Sequence, residues 1–268
     1  MSDPMELQFI TTGDGCKIAY RFDGPTEGPV LLLSNSLGTD MSMWAPQMEA
    51  LSSRFRVLRY DSRGHGTSDA PAGAYSMDRL GRDAIELLDA LRLDRVAFCG
   101  LSKGGMVGQW LGYRAPERIT ALILANTAPF MGPPASWDAR IAAAREQGLA
   151  ALASASAGRW FTPAFQQRGK AAVEAIEAAF LQTDPEGYAG CCAAIRDMDL
   201  RPTAPLIAAP TLVIGGTQDP STPPDQARAL AGAVKGAKLA LLDAAHLSNV
   251  EAPEAFTEQV LGFLGGRP

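Results

Sequence analysis

A chain of 268 residues is long enough for one large domain that takes roughly 75% of its unfolded surface inside without disulfide or metal staples. Its composition, 47% hydrophobic and 20% charged, is that of an ordinary globular protein. A net charge of −5 and an isoelectric point near 5.1 exclude the basic footprint of a nucleic-acid binder, and an anionic ligand would need a local cation to receive it.

The N-terminal segment carries neither the basic nor the apolar region of a secretory signal, and no apolar run reaches the roughly 18 residues of a membrane span. The four cysteines, Cys16, Cys99, Cys191 and Cys192, fit no metal-ligand spacing. The expectation is a soluble cytoplasmic protein with reduced thiols and with neither a nucleic-acid nor a membrane partner. Its oligomeric state is not legible.

In chain order, "MELQFIT", the turn "TGDG" and "CKIAYRF" predict an opening hairpin. "PVLLLSN" follows, an unbroken apolar run of the kind found in a strand covered on both faces. Trp44 lies where a first helix begins and is expected in the core. "FRVLRYDS" predicts another strand. Leu80, Ala84, Leu87, Leu88 and Leu91 then fall on one helical face between Ser76 and Arg92. "RVAFCGLS" and "ITALILAN" are two further buried strands, with Cys99 structural and with Met106, Val107 and Trp110 on a buried helix between them. From about Pro129 to Arg201 the chain is Ala-rich and helical, with no strand-like run. "PTLVIGG" and "KLALLDA" resume the strands, and Phe256, Val260 and Phe263 mark a closing helix. Alternation of this kind predicts an α/β fold: a mostly parallel eight-stranded sheet with helices on both faces. Residues 1–128 and 202–268 form its core, and residues 129–201 form a helical cap inserted after the sixth strand.

The chemistry centres on Gly100-Leu101-Ser102-Lys103-Gly104, a G-x-S-x-G at a predicted strand-to-helix junction. Such a turn presents its serine at the apex, and the flanking glycines let strand and helix approach. A serine hydroxyl needs a base, and the chain offers two histidines. Both follow strands. In the α/β-hydrolase order of serine, acid, histidine, His246 qualifies, whereas His65 precedes the serine and is expected to hold its own turn. The acid that orients the base is expected at Asp219, just past "TLVIGG". Asp243 is too close in sequence to His246, Asp225 is expected to cap a helix, and the preceding strand ends at Asn126 with no carboxylate. Two backbone N–H groups must face the developing oxyanion; Lys103 follows the nucleophile, and Leu37 lies in "SNSLGTD" after the third strand. That loop carries Asn35 and Ser36 where many esterases have His-Gly.

"LLLSNSLGTDMSMWAPQMEAL", "RYDSRGHGTSDAP", "FCGLSKGGMVGQWLG", "RWFTP" and "DAAHLSNVEAPEAF" together resemble the 3-oxoadipate enol-lactonases, α/β-hydrolases of aromatic-compound breakdown. The resemblance runs from about Phe9 to Phe263. It implies a triad of Ser102, Asp219 and His246 under a helical cap. It also implies a small anionic lactone as substrate, opened through an acyl-enzyme without a metal or organic cofactor. Lys103 departs from the pattern, in which an uncharged residue is common. Its side chain and Arg159 are rival cations for the substrate carboxylate. Ser36, Trp137, Trp160 and Phe161 are candidate pocket residues. The same fold and triad also serve general carboxylesterases, C–C bond hydrolases, perhydrolases and a few small-molecule receptors.

Overall fold

The computed structural model describes residues 6–265. Eight strands form one sheet: β1 (Gln8–Thr11), β2 (Lys17–Asp23), β3 (Val30–Ser34), β4 (Arg56–Tyr60), β5 (Val96–Leu101), β6 (Ile119–Ala125), β7 (Thr211–Gly216) and β8 (Lys238–Leu242). Their order is β1-β2-β4-β3-β5-β6-β7-β8. β2 pairs antiparallel with β1 and β4, and the other five pairings are parallel. The expected first strand begins at Gln8; Met5 lies outside the described residues.

Every residue of β3, β5 and β7 is buried, which explains their unbroken apolar sequences: helices cover both faces. The helices are α1 (Ala45–Ser52), α2 (Met77–Ala90), α3 (Lys103–Arg114), α4 (Pro134–Gln147), α5 (Ala150–Trp160), α6 (Pro163–Arg168), α7 (Lys170–Gln182), α8 (Pro185–Asp197), α9 (Pro224–Ala233), α10 (Ser248–Glu251) and α11 (Pro253–Gly265). The Ser76 hydroxyl caps α2 by accepting from Arg79 N–H at 3.1 Å, and Leu80, Ala84, Leu87 and Leu88 form its buried face. Asp83 shares that face. Arg63 answers its charge with two hydrogen bonds of 2.5 and 2.6 Å, without which a buried carboxylate would be costly. Trp44, Cys99, Met106, Val107 and Trp110 are all in the core. The four cysteines are free and buried.

One local expectation fails. Asp225 does not cap α9; Pro223 holds the cap position, and Asp225 is an exposed first-turn residue paired with Arg228 at 3.2 Å. Pro224 explains the shift, because its fixed φ and missing N–H suit the first helical position.

Between β6 and β7 the chain forms α4 to α8. This stretch is tied to the sheet end by Leu247 N–H donating to Trp160 O at 3.0 Å and by Thr162, whose N–H and hydroxyl both donate to Glu251. Strand order reverses between β3 and β5, since the chain leaves β3 toward β4 and returns to β5 on the other side. The carboxyl ends of these strands therefore diverge into the crevice where such sheets bind ligands. Among the described residues no helix is long and apolar enough to cross a membrane.

Candidate active site

Ser102 stands between β5 and α3 with φ 55° and ψ −114°, a conformation that costs an ordinary side chain roughly 1–3 kcal/mol. The neighbours enforce it. Ser102 N–H donates to Ala125 O at 2.9 Å, and its carbonyl accepts from Met106 N–H at 3.0 Å and from Thr127 Oγ1 at 2.8 Å. The flanking glycines are needed for space: a Cβ on Gly100 would sit 2.1 Å from Gly104 O, and one on Gly104 would sit 2.1 Å from Ser34 O.

His246, four residues past β8, brings Nε2 to 2.9 Å from Ser102 Oγ. Its Nδ1 lies 2.8 Å from Asp219 Oδ2, three residues past β7. A carboxylate only accepts, so the imidazole carries its proton on Nδ1 and turns the Nε2 lone pair to the serine hydroxyl. All three side chains are buried. Asp219 also accepts from Ser221 N–H, Thr222 N–H, Thr222 Oγ1 and Asn126 Nδ2 at 2.7–3.0 Å. Burial alone would raise its carboxyl pKa. The hydrogen bonds from His246, Asn126 and Thr222, with the positive charge of His246 whenever its ring is protonated, outweigh this and hold it below the ordinary carboxylate value.

Asn126 is a residue that sequence reasoning passes over, since it offers no carboxylate at the end of β6. With φ 43° it reaches across to donate to Asp219, while its Oδ1 accepts from Ser248 Oγ at 2.5 Å. It hydrogen-bonds the Asp219 carboxylate instead of supplying one.

Lys103 opens α3, so its N–H has no carbonyl to meet within the helix. Leu37 lies opposite on the loop after β3, and Ser36 and Leu37 both line the cavity above Ser102. Gly104 N–H donates to Asn35 O at 3.1 Å and locks the two loops together. Asn35 is itself fixed by Tyr60 O at 2.8 Å and Trp44 Nε1 at 2.9 Å.

The cavity measures about 220 Å³. Trp137, Trp160, Tyr188 and Arg159 line it beside Ser102 and His246, and so does Arg140, which sequence reasoning missed. The lining includes no carboxylate. Arg140 stacks over the Trp137 ring at 4.6 Å, and Arg159 donates to Ser156 Oγ at 3.0 Å. Neither has a carboxylate partner among the described residues. Burial, and then the neighbouring Arg140 charge, push the Arg159 pKa down. Arg140 lies within α4, far along the chain from the elbow, and shares no motif with Ser102, so only folding reveals it.

Three candidates lie elsewhere. Phe161 is buried against Phe165, ring centroids 5.3 Å apart, and does not line the cavity. The Lys103 side chain is fully buried behind the elbow, away from the cavity lining, and its Nζ has no hydrogen-bond partner among the described residues. Burial lowers its pKa; the acidic groups around it, Cys191, Asp61 and Asp83, oppose that shift. Of the two rival cations, Arg159 alone faces the cavity. His65 is also buried, away from Ser102.

The model of the alpha/beta hydrolase fold family matches residues 29–253. A 3-oxoadipate enol-lactonase of Acinetobacter baylyi is 43% identical over 93% of both chains. Among solved structures, a hydrolase from Pseudomonas aeruginosa PA01 superposes with a TM-score of 0.95 at 49% identity, covering 98% of this chain and 100% of that one. The enol-lactonase from Burkholderia xenovorans LB400 does so at 0.95 and 47%, covering 96% and 100%. On a match that runs almost end to end, this chain belongs to the 3-oxoadipate enol-lactonase family of the α/β hydrolases.

Proposed function

We propose that this protein hydrolyses 3-oxoadipate enol-lactone to 3-oxoadipate through an acyl-enzyme on Ser102. The observation that carries the reading is a hydrogen-bonded Ser102–His246–Asp219 array opening into a cavity whose lining includes Arg140 and Arg159 and no carboxylate. The substrate is a small cyclic ester bearing one carboxylate arm. Its size suits the cavity, and its charge suits the arginines.

His246 takes the Ser102 proton as Oγ bonds to the ring carbonyl carbon. The carbonyl oxygen becomes an oxyanion facing the Lys103 and Leu37 N–H groups; each such donor contributes about 3 kcal/mol in related chemistry. Collapse breaks the ring C–O bond. The leaving oxygen is an enolate, a far better leaving group than an alkoxide, and it takes the proton from His246, which leaves the imidazole neutral for the next step. It stays tethered to the acyl group because the ester was cyclic. Water, deprotonated by His246, then attacks the acyl carbon and frees Ser102. The released enol tautomerises to the ketone. Asp219 keeps the imidazole in the required tautomer and offsets its transient positive charge. These steps call on no metal or organic cofactor. Trp137 and Trp160 form the apolar wall, Ser36 borders the reacting carbonyl, and residues 129–201 act as the cap.

The test compares kcat/KM for the enol-lactone with that for p-nitrophenyl acetate, a neutral ester, using Ser102→Ala as control. A preference of several orders of magnitude for the lactone, abolished in Ser102→Ala, is the expected result. Equal or better turnover of the neutral ester would return the protein to the general carboxylesterases.

A further inference from the structure

His65 has no place in the triad, yet it is fully buried and both ring nitrogens are engaged. Gly38 N–H donates to Nε2 at 2.8 Å. On the other side Nδ1 lies 3.3 Å from Arg63 O, which can only accept. The two contacts define one protonation state: proton on Nδ1, lone pair on Nε2. An imidazolium would set its Nε2–H against the Gly38 N–H, donor facing donor.

Gly38 directly follows Leu37. The peptide carrying the Leu37 N–H is pinned at its carbonyl end, Ser36 O, by Thr39 Oγ1 at 3.1 Å. The next peptide is pinned by His65 through the Gly38 N–H. Together they restrict rotation about both backbone bonds of Leu37. We infer that His65 is a positioning residue for the oxyanion hole, a neutral acceptor that aims the Leu37 N–H by gripping the next amide. The inference rests on the serine-hydrolase reading of Ser102 and goes beyond the triad.

The surroundings suit an acceptor. Arg63, which holds the Nδ1 side, is itself clamped by Asp83 and Asp14. Cys191 of α8 brings Sγ to 3.9 Å from Nδ1, a thiol whose pKa burial pushes up. From α3 the Lys103 side chain adds a positive charge close enough to disfavour a second one on the ring. Burial is the larger cause, and both act in the same direction.

The experiment uses two variants of the full chain, His65→Leu and His65→Gln, with single-turnover acylation by a p-nitrophenyl ester and inhibition by an alkylboronic acid. The boronate forms a tetrahedral adduct that fills the oxyanion hole, whereas the ground-state ester does not depend on it. Losing an oxyanion donor outright costs about 10²–10³ in rate, so a misaimed one is expected to cost about 10–100-fold in acylation. For His65→Leu the boronate Ki should rise by a similar factor with KM within about 2-fold, and His65→Gln, which keeps an acceptor, should recover most of both. Equal losses in the two variants, or a loss carried by KM, would overturn the inference. Should His65→Leu fail to fold, nitrogen NMR of the wild-type imidazoles decides. The chain has only two histidines, so His246→Gln assigns the pair. The Nδ1–H tautomer of His65 persisting from about pH 8 to about pH 6 is expected, and an imidazolium or an Nε2–H tautomer in that range refutes it. Ser102→Ala losing both hydrolysis and boronate affinity tests the underlying hydrolase reading separately, because the tautomer does not depend on Ser102.

Discussion

Arg159→Met removes one cavity guanidinium while keeping most of its apolar stem. A carboxylate about 4 Å from the guanidinium gains on the order of 4 kcal/mol at an effective dielectric near 20, before desolvation. Arg159 is half-buried and repelled by Arg140, so part of that gain offsets desolvation, and Arg140 remains to hold the anion in the variant. The net loss is that of a charge-assisted hydrogen bond, about 1.5–3 kcal/mol. At about 1.4 kcal/mol per factor of ten, kcat/KM for the enol-lactone falls roughly 10–150-fold. Hydrolysis of p-nitrophenyl acetate, which has no carboxylate, changes by less than about 3-fold, because Ser102, His246 and Asp219 are untouched. Parallel steady-state assays on the two substrates read the difference. Added salt should weaken lactone turnover more in the wild type than in the variant. A parallel fall for both substrates would show that Arg159 only props up the cap, and no change for either would remove it from substrate recognition.

Asp219→Asn should lower kcat by roughly 10⁴ for lactone and ester alike with little change in KM, since the amide cannot hold the Nδ1–H tautomer of His246; retention of more than a tenth of the activity would unseat Asp219 as the orienting acid. Because the Asp219 pKa is depressed in the folded state, the stability it contributes is complete above about pH 4 and is lost as pH falls through the lowered value; acid titration of the wild type against Asp219→Asn reads this. Lys103→Met deletes a buried, unpartnered amino group and should raise unfolding stability in urea by about 1–3 kcal/mol, while any kinetic change falls equally on lactone and ester; a KM rise confined to the lactone would restore Lys103 as the carboxylate's partner. His65 is held neutral with its pKa well below 6.5, so the unfolded chain binds the extra proton first. Stability should therefore fall below about pH 6.5 by up to about 1.4 kcal/mol per pH unit, and the fall should be smaller in His65→Gln; identical slopes would contradict a buried neutral imidazole.

Much of this molecule is written in local pattern. The unbroken apolar runs of β3, β5, β6 and β7 marked buried parallel strands, because a strand covered on both faces has no polar side to alternate with. The spacing around Ser102 marked the elbow, because only glycine fits where strand, helix and the β3 loop approach one another. With two histidines in the chain, order along the sequence pointed to His246, whose Nε2 the fold sets 2.9 Å from Ser102 Oγ.

Tertiary structure alone decided where the charges face. Lys103 adjoins Ser102 in sequence, but the helix begins there and its side chain turns behind the elbow. Arg140 and Arg159, far along the chain from that serine, come down from α4 and α5 onto the cavity. Asn126 looked like a missing acid until the fold set it against Asp219, and His65 looked like an isolated turn residue until Gly38 reached it. Backbone propensity and hydrophobic period are properties of neighbours along the chain. Direction across a cavity depends on how separate helices dock, and that is set by packing of the whole core.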